Sequence, residues 1–508
     1  MSFILAFIPI ALILILMVGF RWGAARAGGV GYLSALLIAA LAFGAGPQLL
    51  AFAHTRALLL TFDVLYIIWA AFLLYRVADE AGVIRTIGDA LPHLTADRGM
   101  QALIIGWVFA SFLQGVGGFG VPVAVIAPIL VGLGFSPLLA VIIPSLGHGW
   151  AVTFGSLGSS FQALMAATGL PSETLAPHSV AFLSLSGIFT GYLVAHAAGG
   201  WAIMRRLFLP ILLFGVGMGI IQIIVAISGF WNIASFCAGM AGLLLAIPLA
   251  RRYHGVQGDN GDLDRRKLGV SLSGYAVLIL ITLSVQLIPF LKDFLGQVVI
   301  RLEFPQVNTA LGYVVPEGAG RSIPLFRHAG AILTYSSILA YLIYRRANFY
   351  RPGAIQRIAT GTITRVLSSS VSIASMIAMA VIMENSGMTE TLARALAENF
   401  GAAYPLNAPW IGAIGAFMTG SNTNSNVVFG ALQLRTAELL GYRAAIILAA
   451  QTAGAALASV MAPTKVVVGA STAGMAGREG EVLRKLLGYS VLLVLLISVL
   501  TVLAIWLS

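Results

Sequence analysis

The stretches FLQGVGGFG at residues 112–120 and FMTGSNTNSNVVFG at 417–430 interrupt segments that are otherwise lipid-soluble. Each begins with an apolar run ending in Phe-x-x-Gly, and each is followed downstream by a second Gly/Ser/Pro break. Chain that leaves a helix inside a bilayer frees N–H and C=O groups that hydrocarbon cannot satisfy. It survives only where protein or a water-filled cavity receives those groups. A matched pair of breaks, one per half, points to the central binding region of a secondary transporter. The expected fold is therefore all-α: a polytopic membrane protein of inverted repeats with broken helices or re-entrant hairpins.

Composition agrees. Of 508 residues 59% are hydrophobic and 9% charged, and mean hydropathy is +0.96, whereas a soluble domain carries about a quarter charged residues. Segments such as 3–20, 207–228, 269–291 and 486–507 are near the length of a spanning helix, and about 12–14 transmembrane helices are expected once re-entrant pieces are included. The first segment has neither a basic start nor a small-residue cleavage site, so it is expected to stay as a helix. The single Cys237 excludes an intrachain disulfide.

The net charge of +11 is not a nucleic-acid signal, because the basic residues sit in short loops. Arg21 and Arg26, Arg205 and Arg206, Arg251 and Arg252, Arg265 to Lys267, Arg345 and Arg346, and Arg484 with Lys485 mark cytoplasmic faces. Both termini are then expected to be periplasmic. The polar stretch RRYHGVQGDNGDLDRRK, 251–267, reads as a cytoplasmic linker between a half at 1–250 and a half at 268–508.

The halves resemble each other. DEAGVIRTIGDAL from Asp79 matches ENSGMTETLARAL from Glu384, an offset of 305, and Phe112 to Gly115 matches Phe417 to Gly420 at the same offset. Leu133-Gly134-Phe135 matches Leu440-Gly441-Tyr442, and Gly147 matches Gly454, both at 307. Repeat cores at about 79–170 and 384–476 follow, the architecture that supports alternating access. In each core an amphipathic stretch (79–94, 384–400) is expected in the membrane interface. Further breaks are expected at 147–162 and 459–474. The charged stretch 292–324 reads as an exposed loop without an assigned role.

Candidate ligands cluster at the breaks. Gln114, Thr419, Ser421, Asn422 and Asn424 can donate to a carboxylate and accept from a hydroxyl without a buried net charge. Gly115 and Gly118 let backbone approach a ligand at a half-helix N-terminus, where an anion is favoured. Ser156, Ser159, Ser160 and Gln162 form a second polar group, with Thr464 and Lys465 at the corresponding place in the other half. The plain alternative is that such small polar residues join helices to one another. Lys465, between VMAPT and VVVGAS, either meets an anionic substrate or snorkels to an interface. His148 is a packing residue or a binding and coupling residue. Asp63, inside LLLTFDVLYIIW, is a coupling candidate or the partner of Arg56, two turns away on the same helix face. Glu384, near a span end, is weaker.

No HExxH, CxxC, Walker loop or GxSxG is present, so neither a metal centre, a cofactor nor an enzyme is indicated. An intramembrane enzyme would need Ser145 or Ser156 beside His148. A channel or ion antiporter would need a continuous polar pathway.

At these residues the chain resembles the L-lactate permease family. FLQGVGGFGVPVAVIAPILVGLGF (112–135) is similar to that family's Phe-x-Glu-Gly…Gly-Phe-Gly-x-Pro-Val-Ala block. FMTGSNTNSNVVFGALQ (417–433) is similar to its Thr-Gly-Ser-Asp-Thr-x-Ser-Asn block, and GHGWAVTFGSLGSSFQALMAATGLP also fits. The resemblance implies uptake of small 2-hydroxy monocarboxylates such as lactate or glycolate, usually proton-coupled, in the bacterial cytoplasmic (inner) membrane. The implied partners are an organic anion, a coupling proton (or sodium) and the lipid bilayer, with a homo-oligomer allowed and no nucleic acid. Two departures matter: Gln114 replaces the family's Glu and Asn422 its Asp. Lys465 adds a cation where many members read Pro-Gln-Ser. A more anionic substrate, sulfonated or dicarboxylic, or different coupling is the alternative.

Overall fold

The computed structural model describes residues 2–118, 120–253 and 265–508, so most of the expected linker at 251–267 lies outside the described residues. Among them, ten helices are long and apolar enough to cross a membrane, and Ser2–Val18 and Val121–Gly132 are shorter apolar helices. The apolar residues run all round these helices rather than along one stripe, as lipid on one side and packed helices on the other require.

The repeat read from the sequence is an order of elements. Helices Ala24–Ala42 and Pro47–Glu80 lead to a left-handed Gly82 and a short amphipathic helix, Val83–Ala90. The same order returns as Ala329–Arg346, Ala354–Asn385, a left-handed Gly387 and Met388–Phe400. The amphipathic pieces are thus shorter than 79–94 and 384–400, because the long helices run on to Glu80 and Asn385.

Two arms joined at a break come next in each repeat. They are Arg98–Val116 with Val121–Gly132, and Tyr404–Thr419 with Asn422–Leu439. Arg98 Nη2 reaches the Gly134 carbonyl at 3.3 Å, and the Tyr404 hydroxyl reaches Gln433 Oε1 at 2.5 Å. Each pair of arms therefore returns to the side it came from. These are re-entrant hairpins.

A crossing helix interrupted midway completes the unit, Pro137–His148 with Ser159–Thr168 and Ala444–Ser459 with Pro463–Thr472. It packs closely on the hairpin: a Cβ on Gly147 would lie 1.9 Å from the Gly106 carbonyl, and one on Gly454 2.1 Å from the Pro409 carbonyl. Small residues at such crossings allow backbones to approach where the hydrophobic effect gives no drive.

Pro47–Glu80 and Ala354–Asn385, equivalent in the repeat, lie side by side. Arg357 pairs with Glu80 at 2.7 Å at one end, Trp69 donates to Ser370 at 2.8 Å, and Arg56 donates to Asn385 at 2.7 Å at the other end. Equivalent helices thus run antiparallel, the geometry of inverted repeats. The end holding Glu80 and Arg357 also holds Arg206, paired with Asp97 at 2.6 Å, and Tyr350, bonded to the Val77 carbonyl. It is called the basic face below.

At the opposite end, the stretch expected as a plain exposed loop forms three short antiparallel ladders. Val299–Ile300 pairs with Ile323–Pro324, Glu303–Phe304 with Gly318–Ala319, and Val307–Asn308 with Val314–Val315. Together they make one interrupted β-hairpin. It is anchored where the Arg56 guanidinium sits 4.7 Å over the Phe304 ring and where Ala310 N–H donates to the Gly44 carbonyl. This end is the hairpin face.

Candidate functional site

The tip of the first re-entrant hairpin lies on the break of its own repeat's crossing helix. Gly118 has φ 58, and a Cβ there would stand 1.6 Å from Ser156 Oγ and 3.4 Å from Gln114 Nε2. The break itself is wound the wrong way: Ser156 has φ 47, Leu157 φ 54 and Gly158 φ 82. Left-handed backbone costs a non-glycine residue about 1–2 kcal/mol, and such strain persists only where the surroundings enforce it. Here they do, because Ser156 and Leu157 are both buried. Gln114 is also buried, and its Oε1 has no hydrogen-bond partner.

The second hairpin reaches across to the first repeat. Asn422 opens the returning arm, and its Nδ2 donates to Thr153 Oγ1 at 3.0 Å and to Thr452 Oγ1 at 3.5 Å. Asn426 Nδ2 donates to the Ser160 carbonyl and to Thr452 Oγ1, each at 2.9 Å, and Ser160 and Thr423 share a hydroxyl bond at 3.0 Å. Gly420, at φ 71, mirrors Gly118: its Cβ would stand 2.4 Å from Thr464 Oγ1. The reciprocal contact puts Gly469, on the post-break helix Pro463–Thr472, against Val123 of the first hairpin. The breaks of both repeats thus converge.

The expected site residues do not all serve one place. Gln114, Gly118, Ser156 and Asn422 stand at the convergence. Thr419 and Ser421 serve the backbone: the Thr419 hydroxyl donates to the Gly415 and Ser421 carbonyls, and Ser421 caps the returning arm by accepting from Asn424 N–H at 3.2 Å. Gly115 admits the backbone of Phe236 from helix Ala234–Arg252, so its missing side chain serves packing. Asn424 turns to Ser372 at 3.2 Å. His148 Nδ1 shares a bond with the Pro144 carbonyl at 2.7 Å, and Lys465 Nζ donates to Ser459 Oγ at 3.0 Å from a half-buried position. Thr153 and Thr452 escaped notice because a single threonine in an apolar run is a common sight.

Asp63 corrects the sequence reading. It does not pair with Arg56, since seven residues of helix separate their backbones by about 10 Å along the axis. Gln162 Nε2 donates to it at 2.7 Å and Arg321 Nε at 2.8 Å, and His328 Nε2 stands 2.9 Å away. His328 Nδ1 accepts from Gly330 N–H, which leaves Nε2 to donate to the carboxylate.

Among the buried side-chain atoms with no hydrogen-bond partner are Gln114 Oε1, His148 Nε2, Ser159 Oγ, Asn424 Oδ1 and Asn426 Oδ1. Each such group costs about 1–3 kcal/mol when left unmade. All five belong to the hairpins and broken helices that meet here. The serine–histidine pair that an intramembrane enzyme needs is not formed: Ser145 donates to the Val141 carbonyl, and His148 has only Pro144. Among the described residues no group of three His, Cys, Asp or Glu is arranged to hold a metal.

The sequence pattern of the L-lactate permease family matches residues 2–508. This chain belongs to that family. It is 25% identical over 472 residues to the L-lactate permease of Salmonella typhimurium, covering 87% of this chain and 84% of the relative. It is 26% identical to the L-lactate permease of Bacillus subtilis (86% and 84%) and 26% identical to a glycolate permease of Escherichia coli (99% and 95%). Its fold is similar to that of the YdaH transporter of Alcanivorax borkumensis, with a TM-score of 0.51 at 15% identity, covering 89% of this chain and 86% of that one. The permease is thus a multi-pass membrane transport protein.

Proposed function

We propose that this permease is a secondary carrier of small 2-hydroxy monocarboxylates such as L-lactate or glycolate. The convergence of both hairpin tips on both broken helices carries the reading. It gives one small polar region, reached from either repeat, with buried amide and hydroxyl groups left over. Gln114, Ser156, Ser159 and Asn422 would hold the carboxylate and hydroxyl, with Asn424, Thr419 and Ser421 setting the second tip's shape. Lys465 and His148 would lie alongside the bound anion. The halves 1–250 and 268–508 would rock about this region in alternating access, in the bacterial inner membrane with the basic face cytoplasmic and both termini periplasmic. The names of the relatives support the substrate class.

Coupling is a separate matter. Gln114 and Asn422 are carboxamides with no proton to release, so a coupling proton would have to use His148 or Asp63. Sodium or exchange is the other route. A second reading, a more anionic substrate, is favoured by the same two carboxamides together with Lys465, because positive potential that is costly alone is relieved by an extra negative charge.

Uptake of radiolabelled L-lactate and glycolate into proteoliposomes, at two pH values and with or without sodium, tests the reading. Saturable flux reduced by Asn422→Ala and by Gln114→Ala supports it. Flux that never saturates, or that neither substitution alters, overturns it. Stronger competition by a dicarboxylic than a monocarboxylic hydroxy-acid favours the second reading.

A further inference from the structure

The Asp63 cluster joins three parts of the molecule that the central region does not explain. Asp63 belongs to the long helix Pro47–Glu80, Gln162 to the post-break helix Ser159–Thr168, and Arg321 to the β-hairpin of the hairpin face. Arg321 also donates from Nη1 to the Met165 carbonyl at 3.3 Å, in the last turn of that post-break helix. One guanidinium therefore ties the extramembrane hairpin to a spanning helix and to the arm that carries Ser159. The carboxylate is 2% exposed, while Arg321 keeps 24% of its side chain exposed.

That exposed part looks into open space. Arg321 and Ser322 line a cavity of about 500 Å³ with Arg56, Thr168, Gly169 and Asn385. Arg321 and Ser322 also line a second cavity, about 350 Å³, that reaches Asp63, Gln162, Lys292 and Arg327. Arg321 therefore borders both. Glu317 and Glu384 also line the larger cavity, and Arg56 is turned toward Asn385, which leaves Arg321 as the guanidinium held by a carboxylate that a ligand can replace.

We propose that Arg321 is a carboxylate-capture site on the hairpin face, where an incoming hydroxy-acid displaces Asp63 from the guanidinium and thereby unties the β-hairpin from the helix Pro47–Glu80. The chemistry is exchange of one planar carboxylate for another on a fork that fits either. Among the described residues the hairpin occurs in the second repeat alone, so the device belongs to one face. This inference rests on the reading of the chain as a carboxylate carrier and deepens it.

The test is face-resolved kinetics in proteoliposomes of sorted orientation, with radiolabelled L-lactate and glycolate. Arg321→Gln should raise KM from the hairpin face about tenfold or more, the usual worth of a charge-assisted hydrogen bond, with KM from the basic face little changed. Arg321→Lys should fall between. Asp63→Asn should lower the hairpin-face KM, because the competitor for the guanidinium has lost its charge. A merely structural ion pair gives a different pattern: both substitutions impair alike, from both faces, in step with melting temperature. That result, or unchanged KM in Arg321→Gln, overturns the proposal. Should Asp63→Asn fail to fold, the face asymmetry of Arg321→Gln and Arg321→Lys decides alone. Wild-type protein that carries no hydroxy-acid at all sinks the carrier reading and this inference with it, whereas active wild type with a symmetric Arg321→Gln defect sinks only this one.

Discussion

The two hairpin tips occupy equivalent places and are built differently. The first leaves Gln114 Oε1 without a partner and lies against ten residues of chain between His148 and Ser159 that include the left-handed Ser156 and Leu157. The second is short: Gly420 and Ser421 make the turn, and Asn422 is bonded at once to Thr153 and Thr452. The first tip keeps an unpartnered amide oxygen beside strained backbone. The second commits the Nδ2 groups of Asn422 and Asn426 to fastening the repeats together, with Asn424 Oδ1 and Asn426 Oδ1 left over. Two copies of one turn thus differ in how far their polar groups are already committed, and in the proposed reading the second tip combines fastening with binding through Asn422.

Gly118→Ala should be the most damaging single change, since the new methyl would overlap Ser156 Oγ on a backbone that already disfavours a side chain. Transport should vanish and thermal unfolding should report a loss of several kcal/mol, about 2–4 by analogy with overpacking plus left-handed strain. The mirror change, Gly420→Ala, should cost about half as much, because Thr464 is exposed and its hydroxyl can turn aside. Equal losses at the two positions would break the contrast.

Asn422→Ala should destabilise by about 1–3 kcal/mol, because Thr153 and Thr452 lose a shared buried donor, and transport should fall with it. Gln114→Ala should abolish saturable uptake with melting nearly unchanged, since the lost Oε1 had no partner to strand. Gln114→Glu should make uptake steeply pH-dependent by giving the first tip a group that titrates. Comparable melting losses for Asn422→Ala and Gln114→Ala would show that both tips are fasteners.

Arg435→Ala marks the lower bound. Arg435 bonds Glu390 of the amphipathic helix, yet 42% of its side chain is exposed, and exposed ion pairs contribute about 0–1 kcal/mol. Uptake and melting should hold close to wild type, and a large effect would mean that this amphipathic helix is tied to the working region.

How far the sequence revealed this arrangement depended on whether a feature is local. The breaks were legible because glycine and polar residues inside an apolar run leave backbone groups to be satisfied wherever the chain goes. The repeat was legible because Gly82 and Gly387, or Gly134 and Gly441, mark the same left-handed turns at offsets of 305 and 307. Partnerships were not legible. Helical spacing suggested Arg56 for Asp63, but Arg321 lies 258 residues away and arrives on a β-hairpin. Thr153 and Asn422 are 269 residues apart and meet only because the repeats interlock. Gly115 looked like part of the binding turn because it adjoins Gln114, yet it points about 100° away round the helix, onto the backbone of Phe236.

The β-hairpin has one more consequence. Helices Ser2–Val18 and Ala24–Ala42 are joined by residues 19–23 alone, whereas Arg265–Leu287 and the matching Ala329–Arg346 are separated by 288–328. A molecule folded from two near-copies of opposite sense would, if the copies were identical, rest equally on either of its two sides. An appendage carried by one copy removes that degeneracy: in a carrier of the proposed kind the two postures need not be equal in energy, which would set different half-saturations on the two sides while the gradient alone still sets the direction of net travel.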